Sequence, residues 1–236
     1  MAPRVRLATW NIHGGVGGDR RHDLERIFAV LTEIGADVIA LQEVTPLALE
    51  EGVLRHAREA LGMHVAPGRT LRKREADYGN ALLSRYPLKE VASLDLSVNA
   101  CEPRSAVDAR LDVDGHELRV VATHLGLRPS ERRVQVQRIL AAFEHAPMGP
   151  AVLMGDVNEW YLWGRPLRWL HRRFAVSRAP ATFPARRPML KLDRIWGHPA
   201  GALSNVSAHR SPLARLASDH LPLVAQFQLP PPGRAP

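Results

Sequence analysis

Polar side chains that bind divalent cations or transfer protons recur along the chain at the ends of short apolar segments. These side chains belong to Asn11, Glu43, His124, Asp156, Asn158, Asp193, Asp219 and His220. Carboxylate and amide oxygens are ligands that Mg²⁺ accepts, and a histidine titrates close enough to neutral pH to move protons. The set could therefore hold a divalent cation and transfer protons beside it.

Taken one at a time, most of these residues have a structural explanation. Asp156 and Asn158 are typical of a turn after a strand, because both side chains bond their own backbone there. His124 alone is more typical of a hydrogen-bonded core histidine. Asp193 differs, because it lies inside an apolar segment, where an unpaired carboxylate is costly. A partner for Asp193 is therefore expected.

Short β-like segments alternate with stretches of helical periodicity, which predicts an α/β fold. The predicted strands are Val5–Trp10, Asp37–Gln42, Ala81–Ser84, Leu88–Leu96, Val107–Val113, Leu118–Thr123, Ala151–Met154, Leu192–Trp196 and Leu221–Leu229. The segments between Leu88 and Thr123 follow one another without helical spacing, so we expect antiparallel hairpins there. Ligands in open α/β sheets gather at strand ends, so the polar residues can converge.

Apolar spacing and capping residues predict three helices. They cover Leu24–Ile34, Pro46–Leu61 and Ser130–Phe143. Gly35 follows the first helix as a stop, and Thr45 precedes the second as a cap with proline at the first helical position. We expect a single domain over residues 1–229 and a frayed Pro-rich tail over residues 230–236.

The charge balance favours a polyanionic partner. The 236 residues include 32 Lys and Arg against 24 Asp and Glu, a formal charge of +8. Guanidinium groups suit phosphates of nucleic acid or anionic lipid, although taken alone the excess is more simply explained by genome composition. The single cysteine, Cys101, excludes a disulfide framework. No apolar run reaches the roughly 18 residues of a membrane helix and no signal peptide is evident, so a cytoplasmic location is expected. Nothing in the pattern calls for an obligate protein partner.

Seven sequence blocks carry a family resemblance. They are TWNIHGG, ALQEV, YGNALLSRYP, ATHLG, GDVNEW, LDRIW and SDHLPLV, spread from Leu7 to Phe227. In this order they resemble the endonuclease/exonuclease/phosphatase superfamily of Mg²⁺-dependent phosphoesterases. The resemblance implies a DNase-I-like, four-layer α/β sandwich with two mixed sheets face to face and helices on the outer faces. It also implies a phosphodiester hydrolase that uses Mg²⁺, or alternatively Mn²⁺.

The resemblance also implies the metal site and the residues that position the substrate. Glu43 would be the principal metal ligand, assisted by Asn11 and Asp219. Asp156 and Asn158 would position the attacking water and a phosphate oxygen.

Proton transfer in such a site would rest on two histidines. His220 is similar to a general base whose tautomer is held by Asp193, and His124 would act at the leaving group. Both roles lead us to expect histidines that titrate near neutral pH. Arg104 is a candidate for gripping the phosphate, with a solvated surface arginine as the equal alternative, and Asn80 is expected to line the same cleft.

Departures from the family pattern narrow the subclass. Abasic-site endonucleases have an acidic residue two positions after the first-strand asparagine and lack the middle histidine, whereas this chain has His13 and His124. The two-histidine arrangement is similar to the branch with pancreatic-type DNases and neutral sphingomyelinases. Abasic-site repair is therefore not expected.

The substrate remains open between lipid and nucleic acid. Trp160–Trp163 and the arginines up to Arg173 could contact an anionic bilayer or a nucleic-acid backbone, or the tryptophans could cap the core. A second basic loop, Arg186–Lys191, is expected to overhang the cleft. We weigh a phospholipid-headgroup or small-molecule phosphodiesterase, a Mg²⁺-dependent nuclease, and an inactive phosphate-binding module. The intact set of polar residues argues against the third.

Overall fold

The computed structural model of the protein describes residues 2–45, 52–68, 79–144 and 149–231. Within these ranges the strands are β1 (Arg4–Asn11), β2 (Val38–Val44), β3 (His64–Gly68), β4 (Gly79–Ser84), β5 (Leu88–Asp95), β6 (Ser105–Val113), β7 (His116–His124), β8 (Ala151–Asp156), β9 (Asp193–His198), β10 (Leu203–Ala208) and β11 (Leu223–Gln228). The helices are α1 (Leu24–Ile34), α2 (Val53–Glu59), α3 (Pro129–Glu144), α4 (Arg165–Phe174) and α5 (Pro212–Ala217). A short 3₁₀ helix covers His13–Gly15.

The strands form two mixed sheets. The first has the order β10-β11-β1-β2-β4-β3 and the second the order β5-β6-β7-β8-β9. One pair in each sheet is parallel, β1 with β2 and β7 with β8, and the other neighbours are antiparallel. The predicted antiparallel hairpins between Leu88 and Thr123 are confirmed as β5, β6 and β7.

Apolar side chains from alternate strand positions pack the two sheets face to face. Leu7 and Val38 of the first sheet share this core with Val107, Val120 and Val152 of the second. Helices α1, α2 and α5 pack on the outer face of the first sheet, and α3 and α4 on that of the second. The four-layer α/β sandwich expected from the sequence is therefore confirmed.

In the first sheet the polar residues meet where the parallel strands end. Asn11, the last residue of β1, is paired with Gln42 of β2, and Glu43 follows directly. β11 runs antiparallel to β1, so the chain enters it at this same edge, three residues after His220.

The second sheet brings its polar residues to a matching edge. His124 ends β7 and is paired with Asp156, which ends the parallel strand β8. Asp193 begins the antiparallel strand β9 directly opposite Asp156. Parallel neighbours run towards the same edge of the sheet and antiparallel neighbours start from it, so this topology gathers residues that lie far apart in sequence.

The first helix follows its local signals. The Asp23 side chain accepts a hydrogen bond from Arg26 N at the N-terminus, and Gly35 ends the helix with a left-handed φ of 55°. Predicted bounds for α1 are thereby confirmed, and α3 begins one residue before the predicted Ser130. For the predicted helix Pro46–Leu61, residues 46–51 lie outside the described residues, and the described part is helical over Val53–Glu59.

Helix α4 and the short 3₁₀ helix were not predicted, and neither were three elements with weak sequence signals. β3 contains Pro67, and this proline is tolerated because β3 is an edge strand of the first sheet. β10 is polar and carries a register shift against β11. α5 has only six residues, too few for helical periodicity. No helix of the described residues is long and apolar enough to cross a membrane. Most of the predicted tail, residues 232–236, lies outside the described residues.

Candidate active site

Asn11 joins two acidic side chains from different sheets. Its amide Nδ2 donates to Glu43 Oε1 at 2.8 Å and to Asp156 Oδ2 at 3.2 Å. Its Oδ1 accepts from the backbone N–H of His13 at 3.0 Å, which fixes the orientation of the amide. Asn11 is therefore a clamp between the carboxylates, with its NH₂ group rather than its oxygen facing them.

His220 and Asp193 form a buried pair. His220 Nδ1 lies 2.9 Å from Asp193 Oδ2, and both side chains are almost completely buried. Thr182 Oγ1 donates to the same carboxylate oxygen at 2.5 Å. His220 is therefore the partner that the sequence analysis expected for Asp193. The other ring nitrogen of His220, Nε2, lies 3.7 Å from Asp156 Oδ2.

His124 occupies the other side of Asp156. Its Nε2 lies 3.6 Å from Asp156 Oδ2 and 4.0 Å from Glu43 Oε1. Its Nδ1 lies 3.1 Å from Nη1 of Arg104, whose Nη2 donates to Glu102 Oε2 at 2.9 Å. Arg104 is therefore not a solvated surface arginine. Its guanidinium already contacts His124 and Glu102 and does not stand free to bind a phosphate.

Asn158 packs against His124. Its Nδ2 donates to the Leu125 carbonyl at 2.9 Å and lies 3.2 Å from His124 Nε2. Its backbone N–H donates to Asp156 Oδ1 at 2.9 Å. If His124 Nε2 carries a proton, turning the amide over would let Asn158 Oδ1 accept it, at the expense of the bond to Leu125.

The surrounding charges set opposite protonation tendencies for the two histidines. Although burial lowers it, the charges of Asp193, Asp156 and Asp219 and the hydrogen bond to Asp193 raise the pKa of His220 to about 10. Burial and the nearby charges of Arg104 and His220 hold the pKa of His124 well below 6.5. The expectation that both histidines titrate near neutral pH is therefore wrong, because burial and charge separate them.

Asp156 lies at the centre of the site and its protonation is also perturbed. Burial and the neighbouring charge of Asp193 raise its pKa to about 6, against the opposing effect of His220 and the hydrogen bonds from Asn158 and Asn11. Close negative charges of this kind favour a cation between them.

Close backbone contacts hold strand β8 and the His220 segment so that the site residues face one another. Gly155 has a φ of 153°, and a Cβ there would lie 1.9 Å from the Thr123 carbonyl oxygen, so only glycine lets β8 place Asp156 beside β7. Trp10 Nε1 donates to the His220 carbonyl at 2.9 Å, and Ser218 Oγ donates to the Asn11 carbonyl at 2.7 Å. These bonds join the His220 segment to β1.

Left-handed backbone occurs at three positions in and beside this site. His13, Glu43 and Asn158 have φ values of 48°, 54° and 49°. Glu43 lies where the pairing of β2 with β4 shifts register. Such conformations persist only where the surroundings compensate, and they often occur at active sites.

Asp219 and Asn80 make their side-chain contacts outside the cluster of His124, Asp156, Asp193 and His220. The Asp219 side chain is 39% exposed, with Oδ1 3.9 Å from His13 Nδ1. Asn80 is buried and its Nδ2 donates to the Ser105 carbonyl at 2.8 Å, between the two sheets. Among the described residues, no hydrogen bond joins Asn80 to the histidines or carboxylates of the site.

Two sets of residues could hold a metal ion. Ligand atoms of Asp156, Asp193 and His220 all lie within 4.8 Å of one another. His220 and Asp193 are already bonded to each other, however, and a metal between them would break that bond. The carboxylates of Glu43 and Asp156, which share the Asn11 amide, avoid this conflict. The partly exposed Asp219 is the third candidate for an oxygen ligand. Such an all-oxygen donor set suits Mg²⁺ or Mn²⁺.

Sequence analysis missed several residues that orient the site. Thr182, Trp10 and Ser218 make the bonds described above, and of these Trp10 and Ser218 lie inside the matched blocks. Thr182 lies in a loop without a distinctive pattern. Its role depends on contact with a residue 11 positions away, which no local signal reveals.

The aromatic and basic stretch after Asn158 divides into an exposed loop and a helix. Trp160 is 39% exposed and Trp163 is 74% exposed, while Trp169 packs partly buried against the outer core. The core-capping interpretation therefore applies to Trp169 alone. Arg132, fully buried, holds Glu159 through two bonds of 3.2 Å and lies 5.0 Å from the Trp160 ring, which fixes the base of the loop.

Comparisons with known proteins agree with this architecture. The profile of the Endonuclease/Exonuclease/phosphatase family matches residues 8–220. The uncharacterized protein YbhP of Escherichia coli is 32% identical over 246 residues, which cover 95% of this chain and 96% of that protein.

Solved structures share the fold. An endonuclease/exonuclease/phosphatase from Beutenbergia cavernae has a TM-score of 0.76 at 25% identity, covering 96% of this chain and 72% of that chain. The human Nocturnin catalytic domain with bound sulfate anion has a TM-score of 0.75 at 19% identity, covering 97% and 94%. With the family profile spanning most of the sequence, the chain belongs to the endonuclease/exonuclease/phosphatase family of phosphoric ester hydrolases.

Proposed function

We propose that the chain is a divalent-metal-dependent phosphodiester hydrolase that acts on a phospholipid headgroup or another small phosphodiester. The observation that carries the proposal is the position of Asp156 Oδ2, within 3.7 Å of Asn11 Nδ2, His124 Nε2 and His220 Nε2. Hydrolysis of a phosphodiester requires charge neutralisation, a base for water and support for the leaving oxygen, and this arrangement offers a group for each.

The metal site is assigned to Glu43, with Asp219 as a second carboxylate and Asn11 acting through the Glu43 carboxylate it holds. Mg²⁺ is the preferred ion and Mn²⁺ the alternative, because both accept oxygen ligands. When bound, the cation would neutralise charge on the phosphate and on the carboxylates. The fit rests on the carboxylates gathered around Asn11 and on the raised pKa of Asp156.

His220 is assigned as the general base that takes a proton from water at Nε2. Asp193 accepts from Nδ1–H and so holds the tautomer in which Nε2 is free to accept. With a pKa near 10, His220 is protonated at neutral pH unless positive charge nearby opposes it. Base function in this proposal therefore depends on the cation that Glu43 and Asp219 would hold.

His124 is assigned as a neutral hydrogen-bond donor to the leaving oxygen. Its low pKa excludes an imidazolium at neutral pH, so it supports the developing charge without losing its own proton. Asp156 and Asn158 are assigned to position the water and a phosphate oxygen. Arg104 supplies positive charge behind His124, and Asn80 fixes Ser105 next to Arg104.

A lipid substrate is supported by the loop that follows Asn158. Trp160, Tyr161, Leu162 and Trp163 are between 39% and 74% exposed, and Leu127 nearby in the fold is 61% exposed. Arg132 bonds the Leu127 carbonyl and Glu159, so both apolar groups are fixed to the same side chain. Aromatic residues beside arginines suit the headgroup level of an anionic bilayer.

A nuclease is the second candidate. The formal charge of +8 and the exposed arginines of α4, which include Arg165, Arg168 and Arg172, would attract a nucleic-acid backbone. Both substrates are phosphodiesters, so the same site would serve either. An inactive phosphate-binding module is disfavoured because every polar residue of the set is present.

The deciding experiment compares turnover of supercoiled plasmid and of a phospholipid panel in Mg²⁺, with His220→Ala protein as the control for contaminating nuclease. Lipid turnover that is lost in the variant, with plasmid intact, supports the lipid assignment. Plasmid nicking that is lost in the variant supports the nuclease. Equal turnover by the wild type and His220→Ala would refute the site. A second variant, Trp163→Ser, leaves the catalytic groups untouched and tests the bilayer contact by vesicle sedimentation.

A further inference from the structure

A groove that is lined by three arginines, and whose exposed surface is mostly apolar, opens beside Asp219. It has a volume of about 500 Å³ and is bordered by Gly18, by the segment Pro184–Arg187 and by Arg215 at the end of α5. Asp219 lines the same groove, and the next residue in sequence is His220. Phe183, which directly precedes the segment Pro184–Arg187, has its ring centroid 4.8 Å from that of His220, so the groove adjoins the histidine.

Two of its arginines are fixed by neutral partners. Arg186 Nη2 donates to the Gly18 carbonyl at 3.0 Å, and Arg215 Nη1 donates to the carbonyls of Ala185 and Arg186 at 3.3 and 3.2 Å. Backbone carbonyls hold a guanidinium in place without cancelling its charge. These two side chains are thus preorganised cations, which lowers the entropic cost of binding an anion.

The third arginine is uncommitted. Arg187 is exposed, and its side chain makes no hydrogen bond or ion pair within the part of the chain that the structure describes. Among the described residues that line the groove, Asp219 is the single carboxylate against three guanidinium groups. If Asp219 serves a metal ion, the groove has no anion of its own to balance this charge.

We propose that this groove binds a second phosphate group of the substrate. The inference rests on the proposed function, because it takes the scissile phosphate to lie at the histidines. Guanidinium groups bind phosphate through charge-assisted, often bidentate hydrogen bonds. Pro184 and Ala185 give the groove apolar surface for the carbon skeleton between the two phosphates.

The second phosphate has two chemical sources. It is either the neighbouring phosphate of a nucleic-acid strand or a second phosphate on a lipid headgroup. A purely structural role for the basic residues accounts for Arg186 and Arg215, which join loops. It does not account for Arg187, so Arg187 is the residue that separates the two explanations.

The test measures binding and needs no turnover. In the presence of Mg²⁺, calorimetry compares thymidine 3′,5′-bisphosphate with thymidine 3′-phosphate, and glycerol 1,3-bisphosphate with glycerol 1-phosphate. We expect the wild-type protein to bind the bisphosphate of one pair about tenfold more tightly, and that pair identifies the source. Arg187→Gln should reduce this advantage at least about threefold. Arg6→Gln, the same charge change at the exposed far end of β1, should leave it intact.

Equal affinities for the bisphosphate and the monophosphate in both pairs would overturn the proposal. It would also be overturned if Arg187→Gln reduced the bisphosphate advantage less than about threefold, or if Arg6→Gln reduced it as much as Arg187→Gln does. Hydrolysis of bis(4-nitrophenyl) phosphate, which carries one phosphate, is measured in parallel. It reports the proposed activity separately, so failure of the groove and failure of the hydrolase are distinguished.

Discussion

Nη1 of Arg104 lies 3.1 Å from Nδ1 of His124, and this contact determines the tautomer of the histidine. A guanidinium has only donors, so Nδ1 accepts and the proton of the neutral ring resides on Nε2, which requires the Asn158 amide beside Nε2 to turn its oxygen towards the ring. Nε2 is the atom that faces Asp156 Oδ2 at 3.6 Å, inside the site. Arg104 thus acts through His124 as a positioning residue.

Replacing Arg104 should release this tautomer. Arg104→Met keeps much of the side-chain volume but removes the donor, so we expect kcat to fall at least about tenfold. Nitrogen NMR of labelled His124 should show a proton shared between Nδ1 and Nε2, whereas the wild type shows it on Nε2. Arg104→Lys, which retains a cationic donor, should recover part of the rate. An unchanged spectrum in Arg104→Met would refute the tautomer assignment.

The His220–Asp193 pair should control the rate of the chemical step. His220→Ala removes the proposed base and is expected to lower kcat for bis(4-nitrophenyl) phosphate by about 10²- to 10⁴-fold. Asp193→Asn should also lower it strongly, because an amide does not hold the imidazole tautomer as a carboxylate does. His64→Ala, at an exposed position of β3, is the matched control. Near-normal rates in the first two variants would exclude the assignment.

Glu43 should determine the metal requirement. Glu43→Ala removes the proposed principal ligand, so the Mg²⁺ concentration for half-maximal rate should rise at least about tenfold. A ligand role predicts that saturating Mg²⁺ restores much of the rate. A rate that stays low at every Mg²⁺ concentration, with an unchanged midpoint, would contradict it. Glu59→Ala, at the exposed end of α2, should behave as wild type.

Metal-free stability should depend on His220 in alkaline solution. The folded-state pKa of about 10 lies above the reference value of 6.5, so the folded protein binds this proton more tightly than the unfolded chain. The contribution is complete below pH 6.5 and is lost as the pH rises towards 10.

Urea denaturation in EDTA should detect this loss as a difference between two proteins. The unfolding free energy of the wild type should fall relative to that of His220→Gln by up to about 1.4 kcal/mol per pH unit. The pKa of Asp156 is about 6 in the wild type, and loss of the His220 charge would raise it in the variant, so the comparison is made at the alkaline end of the window, between about pH 8 and 10. Parallel curves for the two proteins would show that His220 is not protonated in the fold.

Gly155 should not tolerate a side chain. The added Cβ of Gly155→Ala would lie 1.9 Å from the Thr123 carbonyl oxygen, at a φ of 153° that alanine rarely adopts. The backbone must shift, so we expect a loss of at least about 2 kcal/mol of unfolding free energy. Gly149→Ala, where a Cβ meets nothing within 4 Å, is the control. Equal melting temperatures for the two variants would contradict the steric argument.

Much of the fold follows from local pattern. The alternating apolar segments predicted nine of the strands, and the Asp23 and Gly35 positions explain the limits of α1. The apolar pattern did not predict the edge strands β3 and β10, because an edge strand can form with few apolar residues. Their place is decided by pairing with β4 and β11, which is a long-range property.

The sequence by itself determined the family and the residue types of the site, because the blocks around Asn11, Glu43, Asp156 and His220 are contiguous and ordered. Only the tertiary structure decided what these side chains do to one another. Burial and the charge of Arg104 lower the pKa of His124, whereas the charge of Asp193 raises the pKa of His220, although isolated histidines are alike. Such shifts depend on burial and on distances across two packed sheets, and neither quantity is encoded within a single segment.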